Sequence, residues 1–182
     1  MTALILDTSQ NISLLGLAEG KQLVKSLFLE GRSTSLLPAL KDFCDLKNLL
    51  YIAVGTGPGS WMGVRTAATV AKTLSFALEI PLIEFASPLA FLPTQEGSFT
   101  IVGDAKMGQL YVLTGETKEG KVQNLSSPTL IAPEQFNSTS DFLCDLRKDP
   151  MPNFHWVCTY AHEQFIQGNT IDANALKLSY LR

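Results

Sequence analysis

Residues 50–78 constrain the fold more than any other part of this sequence. Leu50-Tyr51-Ile52-Ala53-Val54 is a continuous apolar run, the mark of a buried strand, and it breaks into Gly55-Thr56-Gly57-Pro58-Gly59-Ser60. Behind that loop Val64, Ala67, Ala68, Ala71, Leu74 and Leu78 recur at i, i+3, i+4 and i+7, which predicts a long helix. Pro81-Leu82-Ile83-Glu84-Phe85 reads as a further strand. Strand, glycine turn, helix and strand in this order make an α/β chain. Upstream, Ala3-Leu4-Ile5-Leu6 runs into Asp7-Thr8-Ser9. Ile12, Leu14 and Leu15 then lead to the turn Glu19-Gly20-Lys21, and Leu23-Val24 and Leu27-Phe28-Leu29 follow, predicting three antiparallel strands. Ser33-Thr34-Ser35 offers N-cap chemistry to a helix carrying Leu36, Leu37, Leu40, Phe43 and Cys44, and Pro38 is tolerated in its first turn if Ser35 caps.

The second half echoes the first at an offset near 100 residues. Asp7 after its apolar strand is matched by Asp104, and the turn Glu19-Gly20-Lys21 by Glu119-Gly120-Lys121. The helical Asp42–Lys47 is matched by Asp141–Arg147, and the strand at 50–54 more weakly by Phe154-His155-Trp156-Val157-Cys158. The glycine loop has no second copy. Two related β-β-β-α-β lobes are expected, residues 1–96 and 97–182, the second reduced, with the crossing near Gly97-Ser98.

Composition closes off several classes. With 182 residues, 46% hydrophobic and 17% charged, the chain has the apolar content for an ordinary core and is not globally disordered. Fourteen Lys and Arg against seventeen Asp and Glu leave no basic arm to neutralise a nucleic-acid backbone alone. Cys44, Cys144 and Cys158 are odd in number and form no C-x-x-C pair, so neither a disulfide framework nor a structural zinc site is indicated. The apolar start is about six residues deep, too short for a signal sequence, and no apolar stretch reaches the roughly 18–20 residues of a membrane span. A cytoplasmic, reduced, soluble protein is the expectation.

Candidate chemistry concentrates in two places. The glycines at 55–63 sit where a strand turns into a helix and leave backbone N–H groups for an anion. The competing reading is a tight turn at Gly57-Pro58-Gly59, a helix cap at Ser60 and close packing at Gly63. The loop is not a Walker A motif, and as a dinucleotide fingerprint it has Met62 where the third glycine belongs. Asp7 and Asp104, each ending an apolar strand, can position a metal–nucleotide or simply bond their own backbone two residues on. Asp7, Thr8, Ser9, Gly57, Gly59, Ser60 and Asp104 therefore form the candidate anion or nucleotide loop. His155 and His162 stand seven apart with no Glu or Cys at ligand spacing, so no catalytic metal set is expected.

Asp7-Thr8-Ser9, Leu36-Leu37-Pro38, Ile52-Ala53-Val54-Gly55 with Gly57-Pro58-Gly59-Ser60, Gly63 and Arg65, and Asp104-Ala105-Lys106 with Tyr111 together resemble the TsaB (YeaZ) family of tRNA threonylcarbamoyladenosine synthesis. The likeness covers residues 1–112 well and the remainder poorly. It implies an actin-like, RNase H-like α/β fold of two lobes with mixed sheets, the second shortened. It also implies a non-catalytic subunit that pairs with and activates the catalytic protein TsaD, with the ATPase TsaE as a further partner. The resemblance further implies a homodimer when TsaD is absent, tRNA reached only through the complex, and no cofactor or membrane. The chain departs from the family at Trp61-Met62, where Phe-Thr is usual, at Met107 and Gln109, and at Arg32.

No converging acid, base, nucleophile or metal set can be assembled from the residues themselves. The apolar helices offer a docking surface instead: Leu36, Leu37, Leu40 and Phe43 on the first, and Val64, Ala67, Ala68, Ala71 and Leu74 on the second. The resemblance points to these helices for pairing, although both stripes also suit packing on their own sheet. The alternative function is an actin-like small-molecule kinase holding Mg-ATP between Asp7 and Asp104.

Overall fold

The first three strands form the meander their alternation predicts: β1 (Thr2–Asp7), β2 (Ile12–Glu19) and β3 (Gln22–Glu30). β1 and β2 are antiparallel with Leu4 opposite Leu17, and β2 and β3 are antiparallel with Leu14 opposite Phe28. Gly20, at φ 60°, closes the second turn in the left-handed region that glycine enters without strain. The computed structural model describes residues 2–30, 36–148 and 151–179. The helix cap expected at Ser33-Thr34-Ser35, and Arg32 beside it, lie outside the described residues.

After α1 (Leu36–Phe43) and a 3-10 turn capped by Asp45, β4 (Leu49–Gly55) enters the sheet parallel to β1, with Leu4 opposite Ile52. The long helix α2 (Trp61–Leu78) then leads to β5 (Leu82–Phe85), parallel to β4. The order β3-β2-β1-β4-β5 makes a mixed sheet with β4 buried between parallel neighbours. Because successive strand residues face opposite sides, Leu4, Leu6, Ile52 and Val54 share one face. They form a core with Leu36, Leu40 and Phe43 of α1 and with Ala67, Ala68 and Ala71 of α2.

The other face is covered by α3 (His155–Ile166). Phe165 stacks on Tyr51 at 4.5 Å between ring centroids, and Phe154 lies 6.1 Å from Phe28. A strand was expected at 154–158, but these residues open a helix. Trp156, Val157 and Ala161 are its buried side, and the apolar run is too short for its period to be read.

The second sheet repeats the strand order of the first. β6 (Gly97–Lys106), β7 (Gln109–Lys118) and β8 (Lys121–Gln123) are an antiparallel meander. β10 (Phe142–Asp145) lies parallel to β6, and β9 (Thr129–Ile131) pairs with β7. Thus β8-β7-β6-β10 corresponds to β3-β2-β1-β4. The helix expected at 141–147 is instead β10 and a 3-10 turn, Leu146–Lys148. Asp45 and Asp145 each accept a hydrogen bond from the backbone N–H two residues on, so the matching Asp-Leu-Lys and Asp-Leu-Arg reflect one local turn, not equivalent helices.

The expected division at residues 96 and 97 moves. One compact unit runs to Leu89 and takes in Phe154–Ser179, and the other comprises Ala90–Asn153. The return follows from α3, whose aromatic residues pack on the first sheet. Among the described residues, no helix is long and apolar enough to cross a membrane.

Candidate functional site

The C-terminal ends of β1 and β4 meet the start of α2, and three short polar residues join them. Asp7, Thr8 and Ser9 are all buried. Asp7 Oδ1 accepts the Ser9 N–H at 2.6 Å, the turn that aspartate makes with its own backbone. Thr8 Oγ1 donates to the Gly63 carbonyl and accepts from Ala67 N–H at 3.2 Å, clamping the first turn of α2 to β1. The Ser9 carbonyl receives Ser60 N–H at 2.6 Å.

The glycine loop is moulded around these residues. A methyl group at Gly63 would overlap the Thr8 carbonyl, one at Gly59 the Ser9 backbone, and one at Gly55 the Asp7 carboxyl. Gly57 has φ +99° and gives its N–H to Ser87 Oγ at 2.9 Å. Ser60 caps α2, accepting Gly63 N–H at 3.3 Å, as its position predicts. The structure therefore gathers Asp7, Thr8, Ser9, Gly57, Gly59 and Ser60 into one knot, with the N–H groups of Gly57, Ser60 and Gly63 directed at the chain's own oxygens. Asp104 belongs to the second unit. It is exposed, accepts Lys106 N–H at 2.7 Å and pairs with Lys106 Nζ at 2.7 Å. The two aspartates thus make the same turn in opposite environments, and their titration diverges accordingly. Burial pushes the Asp7 carboxyl up, opposed by the Ser9 donors and by the nearby Ser87 hydroxyl, whereas the Lys106 contacts pull Asp104 down.

Asp7 Oδ2 is buried without a hydrogen bond. Above the unfolded value of 3.8 the unfolded chain releases a proton that the folded chain retains. This group's contribution is thus most favourable below that pH and is lost as pH rises through the raised folded pKa. Asp7→Asn keeps the acceptor for Ser9 and removes the ionisation. It is expected to stabilise the chain by about 1–2 kcal/mol near neutral pH, with the gain vanishing toward about pH 4. Thermal unfolding of both chains across that range measures it, and a gain independent of pH would contradict the account.

The nine residues expected at a partner surface divide sharply. Leu36, Leu40, Phe43, Val64, Ala67, Ala68 and Ala71 are buried in the first unit's own core and Leu74 is partly buried against it, leaving Leu37 exposed at 59%. The apolar stripes do pack on their own sheet. The outward face of α2 carries other residues: Trp61, exposed at 52%, Met62, and Phe76 at 83%. Arg65 lies over the Trp61 ring at 5.4 Å. Thr66, Thr69 and Thr73 each donate their hydroxyl to the carbonyl four residues back, so this face exposes methyl groups and few unsatisfied polar atoms. Arg65 and Lys72 are the helix's charged residues.

Residues 36–163 match the family model described as "TsaD: tRNA N6-adenosine threonylcarbamoyltransferase". The chain is also 29% identical over 180 residues to the tRNA threonylcarbamoyladenosine biosynthesis protein TsaB of Bacillus subtilis, covering 92% of this chain and 76% of that protein. It belongs to the TsaB/YeaZ family. The Haemophilus influenzae TsaB is 24% identical, with 100% of this chain and 94% of that one covered. YeaZ from Pseudomonas aeruginosa superposes with a TM-score of 0.82 at 22% identity, covering 99% of each chain. The α/β fold with mixed sheets expected from the sequence is observed here, and it is the fold of YeaZ.

Among the described residues of this TsaB homologue, no group of three or more His, Cys, Asp or Glu is placed to hold a metal ion. Burial pushes the Cys144 and Cys158 thiols up to about 11, far from a thiolate nucleophile at neutral pH. His155 packs edge-on against Trp156.

Proposed function

We propose that this TsaB homologue acts in tRNA threonylcarbamoyladenosine formation as a non-catalytic subunit, pairing with TsaD through the outward face of α2 and the exposed Leu37 of α1. One observation carries the reading: α2 turns Trp61, Met62 and Phe76 to solvent among threonines whose hydroxyls are already bonded within the helix. Desolvating such a face strands few polar groups, and its aromatic residues are the kind that anchor interfaces. The internally bonded knot at residues 7–9 and 55–63 supports a scaffold role for the glycine loop, setting the angle of α2. TsaE joins this pair, and tRNA is met through the complex. The kinase alternative asks Asp7 and Asp104 to hold Mg-ATP, while Asp7 is sealed against Gly55 and Asp104 is paired with Lys106.

Phe76→Asp is expected to weaken pairing with the same organism's TsaD by about tenfold or more, to depress modification in the reconstituted system, and to leave the unfolding midpoint unchanged. Light scattering of the mixture and quantitation of modified tRNA measure the two effects. Full-rate modification by TsaD without this chain overturns the proposal, as does undiminished pairing of the Phe76→Asp chain.

A further inference from the structure

Sulfur is distributed in this chain against its usual preference. Methionine belongs with the residues most often buried, yet every methionine among the described residues stands in solvent, Met62 at 70% exposure and Met107 and Met151 further out still. The cysteines are the sheltered ones. Cys158 is buried and Cys44 and Cys144 are half-buried. Burial pushes all three thiols up, so an oxidant meets little thiolate. A thioether has no proton to lose, and its reaction with a hydroperoxide needs access instead of ionisation. Met62 is the member of this exposed set that α2 carries. The spacing of seven puts Met62, Thr69 and Phe76 on one side of the helix, all three exposed. Thr66 gives its hydroxyl hydrogen to the Met62 carbonyl at 2.9 Å, and Thr69 and Thr73 give theirs to carbonyls in the same way. The hydroxyl hydrogens of this stripe are thus committed to the helix's own backbone.

We propose that Met62 is a reversible oxidation site that controls docking at α2, its thioether taking one oxygen atom from a hydroperoxide. The inference rests on the reading of α2 as the pairing surface. A sulfur lone pair attacks a peroxide oxygen and the O–O bond breaks. Sulfur is oxidised by two electrons to the sulfoxide, while the proton on the transferred oxygen passes to the departing hydroxide, which leaves as water. An apolar side chain has then become a strong hydrogen-bond acceptor. On docking it must shed its water beside hydroxyls already engaged, and an acceptor buried without a partner weakens binding. A docked partner covers Met62, so oxidation acts on the unpaired chain and keeps it unpaired. A methionine sulfoxide reductase, taking two electrons from a dithiol that becomes a disulfide, returns the thioether and releases the oxygen as water.

The test treats the full chain with hydrogen peroxide, removes the excess with catalase, locates the added oxygen by peptide mass spectrometry and measures pairing with untreated TsaD by light scattering. Each chain is compared with its own untreated form. Oxygen at Met62 is expected to weaken pairing about tenfold and to leave the unfolding midpoint in place. Methionine sulfoxide reductase with dithiothreitol restores pairing, and dithiothreitol alone does not. A chain carrying Met107→Leu and Met151→Leu keeps the response, whereas a Met62→Leu chain loses it. Undiminished pairing after Met62 is oxidised, a Met62→Leu chain as sensitive as the parent, or a Met62 that stays reduced while Met107 takes up oxygen overturns the proposal. Phe76→Asp separates this result from the pairing reading. Full-strength pairing by that chain means that the α2 surface is misassigned, and both readings fall. Weakened pairing there, with no response to oxidation of Met62, removes this proposal alone.

Discussion

Gly63→Ala lowers the stability of the chain by about 3 kcal/mol, at the upper end of what overpacking one site costs. The added methyl falls on the Thr8 carbonyl oxygen, and neither side is free to yield. Thr8 is bound to the helix through its hydroxyl, which engages both the Gly63 carbonyl and Ala67 N–H. Ser9 is fixed by its own N–H to Asp7 and by its carbonyl to Ser60. A flexible side chain could swing aside, but this is backbone against backbone where β1 ends and α2 begins. Gly108→Ala is the control. Gly108, unlike the helical Gly63, has a positive φ, +76°, but no atom lies within 4 Å of an added methyl, so that change costs about 1 kcal/mol of backbone strain. Urea unfolding of the three chains decides the matter. Costs equal within error would show that the junction of Thr8 with α2 is loose.

That junction was legible before any coordinates, though not its meaning. Gly57, Gly59 and Gly63 marked a tight turn and a close approach, and Ser60 marked a cap, because each residue type has a local physical reason to be there. The same glycines suited an anion, and only the positions of Thr8, Ser9 and Ser87 distinguish donors turned inward from donors left open. The strands and helix of residues 50–85 were legible because their periods run long enough to be counted. Phe154–Cys158 was not, being four apolar residues around His155 without a decisive period, and it became the start of α3 as Phe154 met Phe28 and Phe165, further along the helix, met Tyr51. The likeness of 141–147 to 42–47 misled for a subtler reason. An Asp-capped turn is a local event that precedes a strand in one unit and follows one in the other. The proposed docking face was hardest to see. Alanines at 67, 68 and 71 locate the buried side of α2, yet small residues serve close packing on a sheet as well as on a partner. The outward side announced itself only weakly, through Trp61, Met62 and Phe76 scattered among threonines.

Ala71→Glu is expected to leave no folded first unit, and the reason separates two meanings of lost pairing. Ala71 is fully buried in the core formed with Leu4, Ile52 and Val54. An unpaired carboxylate forced there costs more than about 4 kcal/mol even after it takes up a proton and displaces its neighbours. Against a typical total stability of about 5–15 kcal/mol that is a large share of what a chain of this size holds. Ala68→Glu fails for the same reason. Five residues beyond Ala71, Phe76→Asp changes a side chain that touches solvent, and it stays within about 0.5 kcal/mol of the parent. If α2 pairs with TsaD as proposed, pairing is expected to be lost in the two glutamate chains and weakened about tenfold or more in Phe76→Asp, while circular dichroism is expected to find a cooperative thermal transition only for Phe76→Asp. Loss of pairing in a chain that still melts cooperatively is a statement about the surface of α2, and in a chain that does not it is a statement about the core. An Ala71→Glu chain melting at the parent temperature would mean that α2 presents its alanines outward, reversing the assignment of its two faces.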